Sequence, residues 1–392
     1  MTSEIAVMNK KAVALAADSI ATLTTSSGDK TYATANKLFC LSYDHSIGIM
    51  INNNSFFSGQ SWETIINVYR IEIEKSEIRF EKLEKCVEHF INYLEKSDLF
   101  DTSFQIRSAL KEIEGLHNRL YELLSRDLIK QYEDNPGIAY TKSQQIDFMK
   151  QQMANLIIDM ENQPDYTKKF DEFLQSHQQE IELIFLGIYE HTYQDLKELI
   201  NKITYLYVNK MVNSYKSGIV IAGFGDNDNV PKICSFLIDR VIMSKLAFIY
   251  DFETKDCSEG SGIIPFAQKE MVEEFITGIN PRFLNYINNL NELYYPDKAS
   301  EIYSIMEQYS RQNHINPIFS TLEYLDKPEI AMMAEMLINL TSFKQKITSE
   351  LESVGGPIDV AVISKGEGFI WIKRKYYFEA ELNPHFIAKL YK

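Results

Sequence analysis

A chain of 392 residues, 45% hydrophobic and 24% charged, suffices for two ordinary domains or for one domain carrying a large insertion, and its composition is that of a globular protein. A formal net charge of −15 with no cluster of Lys and Arg excludes a phosphate-binding surface, so no nucleic-acid partner is expected. Neither a signal peptide nor an apolar run near the ~18 residues of a membrane span is present, and Cys40, Cys86, Cys234 and Cys257 show no CxxC or metal-ligand spacing. The prediction is a cytoplasmic protein, with no membrane association and no metal site, whose cysteines are buried and structural.

The chain opens Met1-Thr2-Ser3, and removal of the initiator before a residue as small as threonine would leave Thr2 with a free α-amine. A threonine hydroxyl is a weak nucleophile until something accepts its proton, and an N-terminal amine is one such acceptor. An unperturbed α-amine titrates at roughly 7.7 to 8.0, so much of it is basic near neutral pH. Thr2 is therefore a candidate nucleophile carrying its own base.

Strands follow: Ile5-Ala6-Val7-Met8, the apolar run of residues 12 to 17, then Lys37-Leu38-Phe39-Cys40-Leu41 and Ile47-Gly48-Ile49-Met50-Ile51 around a polar turn. From Ser61 the apolar period becomes three and four, which predicts one helix over residues 62 to 95, on the order of 50 Å long. Helical patterning continues through 103 to 133, 141 to 161 and 166 to 213, broken at Asn135-Pro136-Gly137 and Gln163-Pro164-Asp165. His177 and His191 form no ligand set there.

Strand character returns at residues 218 to 225 and 232 to 238, separated by Asp226-Asn227-Asp228-Asn229. That tetrad lacks the glycine and distal glutamate of a calcium loop and reads as a hairpin turn. Helices are predicted over 265 to 277, in the tyrosine-rich stretch to about 317, and over 327 to 350, before closing strands at 358 to 363 and 369 to 372. Strands, helices, strands, helices, strands is an α+β order.

Five motifs in chain order resemble the proteasome β-subunit family of N-terminal nucleophile hydrolases, including the bacterial proteasome-like proteases. Ala16-Ala17-Asp18-Ser19 with Ala21-Thr22 is similar to the second-strand motif, and sixteen residues separate Thr2 from Asp18, the family's step. Lys37 stands where the family has its catalytic lysine, and residues 218 to 225 resemble the strand ending in a Gly-rich turn. Gly260-Ser261-Gly262 matches the Gly-Ser-Gly whose serine lies beside the terminal threonine, and Gly355-Gly356-Pro357 with the strand after it matches the last glycine pair.

The resemblance implies a four-layer αββα sandwich with a core of residues 2–97 and 218–392, and the helical insertion over 98–217 departs from the family. It implies a threonine-type peptidase in which Thr2 attacks an amide, Lys37 beside Asp18 supplies positive charge, and Ser261 hydrogen-bonds the terminal amine. No metal or organic cofactor is needed, peptides or proteins are the substrate, and the chain assembles as a homo-oligomer whose insertion is free to engage a partner protein. Asn52 aligns with the glycine whose backbone N–H forms the oxyanion hole, and Glu352 and Ser353 stand near the family's supporting acidic and serine pair. Both positions depart from the family, which leaves a non-catalytic scaffold as an alternative, and an insertion that covered the pocket and excluded polypeptides would give a second, a hydrolase of small amides.

Overall fold

The computed structural model describes residues 3–25, 28–42, 44–134, 141–166, 168–210, 216–258, 260–348, 354–385 and 388. Strands β1 (Glu4–Met8), β2 (Ala12–Ala17), β3 (Ala21–Thr25), β4 (Gly28–Tyr32), β5 (Leu38–Cys40) and β6 (Ile47–Asn52) come first. A short pair, β7 (Phe56–Phe57) and β8 (Gln60–Ser61), leads into α1 (Trp62–Ser76) and α2 (Leu83–Lys96). Then come α3 (Thr102–Asp134), α4 (Lys142–Glu161), α5 (Asp171–Ser176), α6 (Gln178–Tyr189) and α7 (Tyr193–Asn209). Strands β9 (Ser217–Gly223), β10 (Lys232–Ile242), β11 (Lys245–Asp256) and β12 (Gly262–Pro265) precede α8 (Lys269–Thr277), α9 (Pro281–Tyr294), α10 (Ala299–Ser310), α11 (Asn316–Leu322) and α12 (Lys327–Ile347). The hairpin β13 (Asp359–Ser364) and β14 (Gly368–Lys373) comes last among the strands.

The strands form two five-stranded antiparallel sheets, ordered β12-β1-β2-β13-β14 and β11-β10-β9-β6-β5. Strand β2 shows why its sequence lacks polar residues: all six are buried because both faces are covered. Val13, Leu15 and Ala17 face the second sheet, in one cluster with Met50, Val220 and Ala222. Ala12, Ala14 and Ala16 face the other way, and their small side chains let α12 pack close through Ala331, Ala334 and Ile338. On the outer face of the second sheet, α1 and α2 bury Trp62, Tyr69 and Phe90 against Ile49 and Ile221.

Two expectations are corrected. The helix predicted over 62 to 95 is two helices, because Glu77 turns left-handed at φ 50° to end α1. No local side chain caps α2; Asp228 does so from the β9–β10 hairpin, accepting the Leu83 N–H at 2.9 Å. A helix of about 50 Å does occur, at 33 residues, but it is α3. The helix predicted to begin at 265 begins at Lys269, since residues 262 to 265 pair with β1 as β12. Strands β3, β4 and β11 were outside the sequence-based reading, as β11 carries five charged residues among its twelve and lacks clean alternation.

Candidate functional site

Strand β2 ends at Ala17, and the next residue, Asp18, is fully buried where β1 begins and β13 approaches. Its carboxylate is held by three backbone donors: Ser3 N–H on Oδ1 at 3.1 Å, and Ile20 and Gly355 N–H on Oδ2 at 3.2 and 3.0 Å. Gly355 sits at φ 150°, a conformation that side chains disfavour, so glycine there serves the turn that aims this N–H. Buried carboxylates need such donors, since a charge taken out of water without partners costs several kcal/mol.

The second sheet supplies the countercharge. Lys37, at the head of β5 and 6% exposed, places Nζ 2.5 Å from Asp18 Oδ1 and 3.5 Å from Glu4 Oε1. Its carbonyl accepts the Ile51 N–H at 2.8 Å, which fixes the head of β5 against β6. The next residue, Asn52, is buried and turns its side chain onto Gly218 of β9, where a Cβ would lie 2.0 Å from Asn52 Oδ1. Asn53 beyond it is left-handed at φ 68°. A cleft of about 460 Å³ opens alongside, lined by Asn52, Asn53, Gly218, Pro265, Phe266 and Lys269.

Of the residues singled out in the sequence, Asp18 and Lys37 are brought together, with Asn52 next to the residue that pairs with Lys37. Ser261 is not brought to them, which corrects its expected role. In the β1–β12 register Met8 faces Gly262 and Ile5 faces Pro265, while Phe266 N–H donates to Glu4 O at 2.9 Å. Ser261 is thus five residues, about 17 Å, along β12 from the Glu4 end, and its Oγ donates to Phe319 O at 2.8 Å. Thr2, Glu352 and Ser353 lie outside the described residues.

Sequence reasoning missed Glu4 and the Gly355 N–H. Glu4 was legible in one respect: it heads a strand whose other residues are all apolar and buried, so a charge there must be paired. Among the described residues no group of three or more His, Cys, Asp or Glu is placed to hold a metal ion, and no helix is long and apolar enough to cross a membrane. All four cysteines are buried thiols, and burial pushes Cys40 up to about 12.

Comparison with known proteins overturns the resemblance to the proteasome β-subunit family. No family model and no curated protein matches the chain. Among solved structures, the Anbu (Gly-1) mutant from Hyphomicrobium sp. strain MC1 is similar at 8% identity, covering 100% of this chain and 95% of that one, with a TM-score of 0.29. A likeness so low in both measures does not carry membership, and five short motifs spread over 392 residues carry it no better.

Proposed function

We propose that the chain is a threonine-type N-terminal nucleophile hydrolase of peptide amides, exposed by removal of Met1, with the four-layer αββα arrangement such a site needs and residues 98–217 as a helical insertion. The observation that carries this reading is the buried Asp18–Lys37 pair, whose aspartate accepts the N–H of Ser3, the residue that follows Thr2. In the mechanism, Thr2 Oγ attacks the amide carbonyl while the α-amine takes its proton and later passes it to the departing amine. Water then hydrolyses the ester and restores Thr2. The Lys37 ammonium, held by Asp18 and Glu4, steadies the oxyanion, with the Asn52 backbone N–H as its donor. Ser261 has no part in this, and no metal or cofactor is called on.

The free buried thiols suit a reducing compartment, and the cytoplasm is the proposed location. Self-assembly belongs to the same reading, and α9, which buries none of its residues and exposes Phe283, Tyr286 and Leu293, supports it. Light scattering on the untagged chain checks this point, a monomer at every concentration ruling it out.

A second reading, a non-catalytic scaffold, is favoured by Ser261 being engaged with Phe319 O far from Asp18. Intact mass before and after treatment with a β-lactone or peptide epoxyketone separates the two. Loss of Met1, one covalent adduct, no adduct in Thr2→Ala and a roughly hundredfold slower reaction in folded Lys37→Ala are the expected results. Retained Met1 sinks the nucleophile, and absence of labelling in folded, processed protein favours the scaffold. Labelling without cleavage of unfolded polypeptide would instead assign small amides as substrate.

A further inference from the structure

Strands β5 and β14 are the outer strands of their sheets on one side of the molecule, and between them lies a cavity of about 320 Å³. That volume suits a small molecule, for which pockets start at roughly 300 Å³. Its walls combine rings with cations: Trp371, Tyr376 and Phe378, with Arg70 from α1 and Arg374 just beyond β14. The Arg374 guanidinium lies 4.8 Å from the Trp371 ring centre and 5.5 Å from that of Tyr376.

The charges of the wall are unequally committed. Lys375 is taken up by Asp359, through an ion pair and through its backbone N–H at 2.8 Å. Glu63 accepts Asn36 Nδ2 at 2.9 Å. Neither Arg70 nor Arg374 has a carboxylate within ion-pair distance among the described residues, in a chain where acids outnumber bases 55 to 40. Two guanidiniums without an ion-paired carboxylate thus meet on one cavity. A guanidinium offers paired donors that match a carboxylate, and flanking aromatic faces offer stacking to a ring.

We propose that this cavity binds a small aromatic carboxylate, its carboxylate on Arg70 and Arg374 and its ring against Trp371 and Tyr376. A monoanion fits better than a phosphate dianion, because the −15 net charge repels the second negative charge and the wall carries only one cation in excess of its acids. The cavity is separate from the Asp18 cluster: Asn36 and Leu38 line it, while Lys37 between them reaches Asp18. The inference does not depend on the hydrolase reading. The carboxylate has two sources, a free acid or the C-terminus of a peptide ending in an aromatic residue.

Trp62, the other of the two tryptophans, is buried, so ligand-dependent emission reports on Trp371. The full chain is titrated with 3-phenylpropionate, its neutral analogue 3-phenylpropanol, phenyl phosphate, and an alanyl-phenylalanine with free or amidated C-terminus. The acid is expected to bind, to weaken with salt, and to weaken roughly tenfold or more in Arg374→Gln and in Arg70→Gln. Arg374 is exposed, so its variant does not threaten folding. In Trp371→Phe the signal disappears while calorimetry still detects binding. A free-ended dipeptide matching the free acid assigns peptide C-termini as ligand, and preference for the free acid assigns the small molecule. Equal binding of the alcohol, tighter binding of phenyl phosphate, an unaffected Arg374→Gln or no binding of either acid overturns the proposal.

Discussion

Asp18 and Lys37 are polar residues at strand ends, ordinary when taken singly, and each gains meaning from what buries it. The lysine crosses from one sheet to the other to reach the aspartate, a contact between residues on different strands that spacing alone does not reveal. His117 on α3 is a second buried polar residue, between Tyr189 Oη at 2.8 Å and Thr204 Oγ1 at 2.8 Å. Thr204 gives its own proton to Ile200 O, so it accepts from His117 Nε2–H, and Nδ1 accepts from Tyr189. Burial holds this imidazole at about 4, below its ordinary 6.5. Its folded pKa is depressed, so the stability it contributes is intact above about 6.5 and is lost as pH falls toward about 4. The loss is about 3 kcal/mol, and urea unfolding near pH 7 and near pH 4.5 should show a steeper acid decline in the native chain than in His117→Gln.

Elements were legible where local pattern and burial agree. The alanine-rich β2, the β9–β10 hairpin at the Asp-Asn tetrad and the apolar stripe of α2 follow from residues within one window. The start of α2 does not, because what caps it comes from the turn at residues 225 to 228. Asp228 accepts Leu83 N–H and Gly225 N–H, and lies 2.9 Å from Lys232 Nζ. Asp228→Ala should therefore cost about 2 to 3 kcal/mol in denaturant unfolding, a lost cap plus one of the two carboxylates, Asp228 and Glu84, that hold Lys232. Asp226→Ala, which loses only the exposed pair with Arg79, should cost less than about 1 kcal/mol. Equal effects would place the α2 cap elsewhere. Ser261 teaches the same lesson from the other side: Gly-Ser-Gly is legible as a turn, but only strand register puts it at the wrong end of β1 for its expected role.

Across the whole molecule, α3 to α7 form their own apolar cluster, which also takes in Ile242 and Ala247 of the second sheet. Arg240 on β10 ties the two together: it is 4% exposed, with Nη1 2.6 Å from Glu112 Oε2 on α3 and Nη2 2.9 Å from Asp239 Oδ2. The Tyr207 ring of α7 covers its guanidinium at 5.0 Å. Arg240→Met strands both acids and is expected to cost about 3 to 5 kcal/mol. Hydrogen exchange should speed first in α3 and α7 while β1 and β2 keep their protection, and uniform acceleration would contradict a local junction. The sequence by itself determined the α+β class, the buried strands and the helical stretch after α2, because periodicity and side-chain chemistry are local. Only the tertiary structure decided that Glu4 and the Gly355 N–H join Asp18 and Lys37 and that Ser261 does not. Strand order and register across two sheets set those distances, and register is fixed by contacts hundreds of residues apart in the chain.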